Sequence, residues 1–171
     1  MLYVGAARVD AHRMTWRQFD ETTVKYTRNK TGIAVDIGIY SELQKALAAS
    51  PRNHITIINT EYGKPFTVGG FSQFLRKAMN AAGLPLDCKP HGLRKTLGRR
   101  LADQECSVHE IMAALGHTTS AEAERYTREA DRRRGGRRAI LKLEGHTANR
   151  VAQTDVDRFG EVSKTKGKSE P

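Results

Sequence analysis

The stretch PHGLRKTLGRRLADQECSVHEIMAALGHTTSAEAERY, Pro90 to Tyr126, decides how this chain of 171 residues is read. A helix is expected to start after Pro90. Leu93, Leu97 and Leu101 repeat every four residues as one inward stripe, while Arg94, Lys95, Arg99 and Arg100 lie around the other sides as a basic surface. Ser107 and Glu110 match a capping box, in which the serine takes an orphan backbone N–H and the glutamate reaches back to its cap. A short helix, Val108 to Leu115, follows. Gly116 ends it, His117 sits on the turn, and Ser120 with Glu122 and Glu124 opens a further helix that carries Tyr126.

Upstream, Val9 to Trp16 reads as the end of a helix. Thr22–Tyr26, the turn Asn29 to Gly32, and the alternation of Ile33, Val35, Ile37 and Ile39 read as a hairpin with Lys30 at its tip. Ser41 caps a helix bearing Leu43, Ala46 and Leu47, Pro51 stops it, and Ile55–Ile58 forms a short edge strand. After a turn at Tyr62 to Pro65, Phe71, Phe74, Leu75 and Met79 follow helical spacing up to a left-handed cap at Gly83. Helices with one small antiparallel sheet make the fold class α+β, mostly helical. Residues 1–142 form the folded domain. Residues 143–171, mixing Thr, Asp, Lys, Gly and Ser with few large apolar groups, read as a basic and polar disordered tail.

Lys and Arg number 29 against 19 Asp and Glu, a formal charge of +10. The excess peaks at Arg132, Arg133, Arg134, Arg137, Arg138 and Lys142, and such a field draws polyanions, with nucleic acid the leading partner. No stretch approaches the roughly 18 apolar residues of a membrane span, and Met1 is followed by no secretory signal, so the expected compartment is the cytoplasm. Cys88 and Cys106 are the only cysteines and are expected to be reduced thiols. His12, His54, His91, His109, His117 and His146 show no metal-ligand spacing, so no metal is expected.

Four polar features lie at turns and helix starts where side chains can converge: Lys30, the pair His91 and Arg94 three residues apart on one helix face, His117, and Tyr126. Singly each is ordinary, since a lone His is usually structural and a turn Lys is usually solvated. In combination, His91-Gly-Leu-Arg94, then Leu115-Gly-His117, then Tyr126, with Lys30-Thr-Gly upstream and the Gly5 to Trp16 segment before it, resembles the catalytic domain of tyrosine recombinases, the phage-integrase family, over roughly residues 3–142.

The resemblance implies site-specific DNA recombination or integration, with no metal and no nucleotide cofactor. Tyr126 would attack a scissile phosphorus to give a 3′-phosphotyrosyl link. Arg94 would grip two non-bridging oxygens, His117 would donate a further hydrogen bond, His91 would manage the proton, and Lys30 would protonate the departing 5′-oxygen. These residue types suit that chemistry, because a phenol of pKa near 10 must be deprotonated and a pentacovalent phosphorane spreads negative charge. Arg8, Lys95, Arg99 and Arg100 would contact double-stranded DNA, and the family assembles on DNA as a tetramer.

Two departures stand out. The family pattern Gly-x-Arg, with an acidic residue three positions later, here reads Gly5-Ala6-Ala7 with Asp10, so the first catalytic arginine is replaced by Ala7. Arg8 lies one step on, turned by about 100°. Loss of one transition-state cation costs on the order of 3 kcal/mol, so strand cleavage is expected to be impaired or lost. The chain also begins just before Gly5, where the family carries a further domain and helices, so an N-terminally truncated catalytic domain is expected. The alternative reading is a non-catalytic, DNA-binding integrase remnant.

Overall fold

The computed structural model describes the backbone of residues 1–164 and the side chains of residues 1–144. It divides into two compact units, Met1–Ala130 and Asp131–Pro171.

The first unit opens with a single helical turn, α1 (Arg8–Ala11), and a 3-10 turn at Trp16–Gln18, in place of the longer helix end expected over Val9 to Trp16. The hairpin forms as read: β1 (Thr23–Thr27) pairs antiparallel with β2 (Ala34–Gly38), with Val24 opposite Ile37 and Tyr26 opposite Val35. The period of two sends Val24, Tyr26 and Val35 to one buried face. In α2 (Ser41–Ala48) the cap position falls on Tyr40, so Ser41 is the first helical residue and makes no side-chain cap bond. Ile55–Ile58 forms no strand. It is held instead by one isolated bridge, Thr15 to Thr56, flanked by Trp16 N–H donating to Ile55 and Ile57 N–H donating to Met14.

Helix α3 (Val68–Ala81) is capped by the Thr67 side chain, which accepts from Gly70 N–H. It buries Phe71, 1% exposed, against the hairpin face through a cluster with Val4, Met14, Val24, Tyr26 and Val35. Phe66 and Phe74 stack around the same ring at centroid distances of 6.0 and 6.1 Å.

A second cluster joins α4 (His91–Asp103), α5 (Val108–Leu115) and the start of α6 (Ser120–Lys164). The capping box at Ser107 and Glu110 forms in both directions. Ile111 and Leu115 are sealed against Ala102, Ala123 and Ala130. The face of α4 that turns inward differs from the leucine stripe read from the sequence. Arg94, Gly98 and Ala102 are buried, Leu97 and Leu101 are half-buried, and Leu93 is exposed. The small residues at 98 and 102 let α6 approach closely, so the stripe follows side-chain size rather than apolarity.

In the second unit α6 continues through Gly135 and Gly136, where an added Cβ would touch nothing. Ile140, Leu141 and Leu143 are exposed there. Of the tail expected as disordered at 143–171, residues 143–164 lie within α6, and 165–171 lie outside the described residues. No helix among the described residues is long and apolar enough to cross a membrane.

Truncating Phe71 removes the largest side chain joining α3 to the hairpin. Phe71→Ala is expected to cost about 3–5 kcal/mol, measured as a lowered urea midpoint with an unchanged slope.

Candidate active site

Gly116 brings the polar residues together. It takes φ +61 at the end of α5, with Gly116 N–H donating to Ala113 O and His117 N–H to Met112 O, the paired bonds of a Schellman motif. This fixes the backbone of His117 directly after the helix. A Cβ at Gly116 would stand 2.6 Å from Arg28 Cδ and 2.7 Å from Val35 Cγ2, so the turn also presses against the hairpin.

Arg94 is almost wholly enclosed, 3% exposed, and its Nη1 donates to Gly5 O. That carbonyl is within reach because the Gly5 segment packs hard on α5: at φ +64, a Cβ there would meet Leu115 Cδ2 at 2.9 Å and Ala114 O at 3.0 Å. The ring of Tyr126 lies on Gly98, one turn beyond Arg94, where an added Cβ would stand 2.7 Å from Cε2. Burial raises the Tyr126 phenol above its usual range, and the Arg94 charge only partly offsets this.

His117 is buried, and its Nε2 stands 2.9 Å from Glu122 Oε2 while Nδ1 has no partner. A carboxylate that close favours the imidazolium. Desolvation, then the Arg94 charge, outweigh it, and the His117 pKa falls below its ordinary value. The neutral ring then carries its proton on Nε2, donating to Glu122. His91, at the exposed start of α4, is lowered by the same causes in the same order, with Lys95 adding to Arg94. Glu122 acts in turn on His91, Arg94, His117 and Tyr126.

Of the residues singled out in the sequence, His91, His117 and Tyr126 all feel the Arg94 charge. Lys30 is not among them: it lies exposed on the turn after β1. Arg8, Lys95, Arg99 and Arg100 are all exposed. Arg99 faces Asp103 at 4.0 Å, and Arg100 borders a separate groove with Tyr3, Tyr40 and Leu97. Arg94 belongs with the buried group, not with the basic surface assigned to it by the leucine stripe.

The structure adds a residue the motif reading passed over. Arg28, 8% exposed, follows β1, and its Nη1 donates to Leu115 O at 3.1 Å and Gly116 O at 3.0 Å. Its Nε faces Asp10 Oδ2 at 3.8 Å. The signal was present in the strand period, since Val24, Tyr26 and Arg28 fall on one face. Among the described residues no group of three or more His, Cys, Asp or Glu could hold a metal ion.

Residues 8–133 match the model of the phage integrase family, and the chain belongs to that family. It is 29% identical over 131 residues to the integrase of Escherichia phage HK022, an alignment covering 68% of this chain and 36% of that protein. The fold is that of tyrosine recombinase catalytic domains. It superposes on the crystal structure of XerA recombinase with a TM-score of 0.63 at 18% identity, covering 74% of this chain and 48% of the other. It also superposes on a lambda integrase tetramer bound to a Holliday junction, with a TM-score of 0.59 at 22% identity, covering 73% and 39%. The chain thus spans about a third of the curated integrase and about half or less of these structures.

Because His91 and His117 have folded-state pKa values below the ordinary 6.5, the native state resists taking up protons that the unfolded chain accepts. Their contribution to stability is present above about pH 6.5 and is lost as pH falls through the lower folded values. The His117 ring is expected to titrate below 6.5 by NMR, and His117→Gln to flatten the fall of melting temperature between about pH 7 and 5.

Proposed function

We propose that the protein cuts and rejoins double-stranded DNA through a 3′-phosphotyrosyl intermediate, the chemistry of site-specific recombination. The observation that carries this reading is the enclosed Arg94 guanidinium, whose charge acts on His91, His117 and Tyr126 together. A buried cation surrounded by neutral imidazoles and a phenol is a receptor for an anion, and a guanidinium fork suits two oxygens of a phosphodiester.

The Tyr126 oxygen forms the bond to phosphorus as the bond from phosphorus to the 5′-oxygen breaks. His91 takes up and returns the phenolic proton, and His117 with Arg94 meets the charge on the non-bridging oxygens. Lys30, on the exposed turn after β1, swings in over the bound strand and supplies a proton to the 5′-oxygen. Attack by a 5′-hydroxyl reverses these steps and reseals the strand. The exposed Lys95 and Arg99 on α4 and Arg8 on α1 meet backbone phosphates, as does Arg100 from the other flank of α4. The lambda integrase tetramer on a Holliday junction supports duplex DNA as partner and a tetramer as the working assembly.

A second reading, DNA binding without cleavage, draws on Ala7, which stands where the family motif has its first arginine. A duplex nicked beside the scissile phosphate separates the two. Strand cleavage predicts a covalent protein–DNA adduct that survives denaturation and is abolished in Tyr126→Phe. Salt-sensitive binding that yields no adduct at any protein concentration sinks the catalytic reading and leaves the remnant. An adduct persisting in Tyr126→Phe excludes Tyr126 as the nucleophile.

A further inference from the structure

Ala7 caps the turn α1, and Asp10 lies three residues on with its N–H donating to Ala7 O at 3.0 Å. An arginine at position 7 would lie beside the Asp10 carboxylate. With Ala7 there, Asp10 would be a buried charge, 2% exposed at its side chain, with no cation from its own segment. The cation comes from across the hairpin. Arg28 places Nε at 3.8 Å from Asp10 Oδ2, and Asn29 N–H donates to the other oxygen at 2.9 Å.

We propose that Arg28 fills the vacancy at Ala7 and serves as the second guanidinium of the phosphate pocket, beside Arg94. This rests on the strand-cleavage reading for its substrate, but its own evidence is separate.

Three observations carry it. First, Arg28 and Arg94 are both buried, and Asp10 is the only buried carboxylate among the described residues, so the interior holds one more cation than it has anions to match. A buried excess charge is costly unless an anion comes to meet it. Second, a purely structural task leaves part of the fork unused. The α5 carbonyls occupy Nη1 and Asp10 lies 3.8 Å from Nε, whereas Nη2 makes no hydrogen bond among the described residues. Third, Arg28 is tied to the Leu115–Gly116 turn that sets His117, and its charge bears on Arg94, His91 and His117 as well.

The replacement keeps the charge and changes its anchor. A guanidinium at position 7 would depend on the short α1 turn. From position 28, just after β1, it is braced by Asp10 and by the carbonyl end of α5, where a cation also suits the helix dipole. Gly116 packs against the Arg28 stem closely enough that an added Cβ would stand 2.6 Å from Cδ.

The test is inorganic phosphate titrated into the full chain, followed through the His91 and His117 ring resonances. A saturating shift is expected, weakened about tenfold or more in Arg28→Gln and in Arg94→Gln, with folding checked by circular dichroism. Arg28→Lys retains the charge without the fork and serves if the glutamine variant does not fold; it is expected to bind phosphate several-fold more weakly. The double variant Ala7→Arg with Arg28→Gln should recover affinity lost in the single variant. If Arg28 merely braces Asp10 and α5, the melting temperature drops while the phosphate affinity of the folded protein stays at the wild-type value. That result overturns the proposal, as does a wild-type chain with no phosphate response. Phosphate binding that depends on Arg28, without an adduct on nicked DNA, defeats the strand-cleavage reading alone. An adduct formed at the wild-type rate in Arg28→Gln defeats the Arg28 assignment alone.

Discussion

A guanidinium buried beneath a backbone carbonyl sets the terms for this fold. Arg94 can be enclosed only because Gly5 O accepts from it, and Gly5 O is there only because a residue without a side chain lets the N-terminal segment lie on α5. An ionised group with so little water around it needs hydrogen bonds and compensating charge, or it would destabilise the fold by several kcal/mol. A second buried guanidinium is held in the same manner: Arg28 Nη1 donates to the Leu115 and Gly116 carbonyls, and its Nε faces Asp10, which accepts from Asn29 N–H.

The same enclosure sets the chemistry of the neighbours. Desolvation raises Tyr126 and lowers His117 and His91, so near neutrality all three are uncharged around fixed guanidinium charge. Such a pocket has little internal means of neutralising itself beyond Asp10 and the Glu122 rim. Glycine at position 98 is as necessary as the polar residues, because it provides the hollow in which the Tyr126 ring rests. Size complementarity between Gly98 and Tyr126 thus links the packing of α4 on α6 to the placement of a reactive oxygen.

Several elements could be read directly from residue order. The hairpin followed from alternation, α5 from its capping box and terminal glycine, and α3 from its phenylalanine spacing with Gly83 after it. The errors have a common origin. Apolarity points the leucine stripe of α4 inward, yet the helix turns its smallest residues and an arginine inward to admit α6. The Ile55–Ile58 run lacked a neighbouring strand to pair with, so its β-branched composition produced only a bridge. Arg28 was passed over because a charged residue at a strand end is ordinarily solvated, although the alternation through Val24 and Tyr26 already pointed it inward.

Residue order alone gave the hairpin and the helices α3 to α5, the family motif with its alanine at position 7, and His91, Arg94, His117 and Tyr126 as candidates, since local periodicity, capping and spacing are properties of neighbours in the chain. Which side of α4 is buried, and that residue 28 lies beside residues 10, 115 and 116, depended on packing. Those contacts join positions up to 88 residues apart, and only the close approach of the hairpin to the end of α5, permitted by Gly116, brings them together.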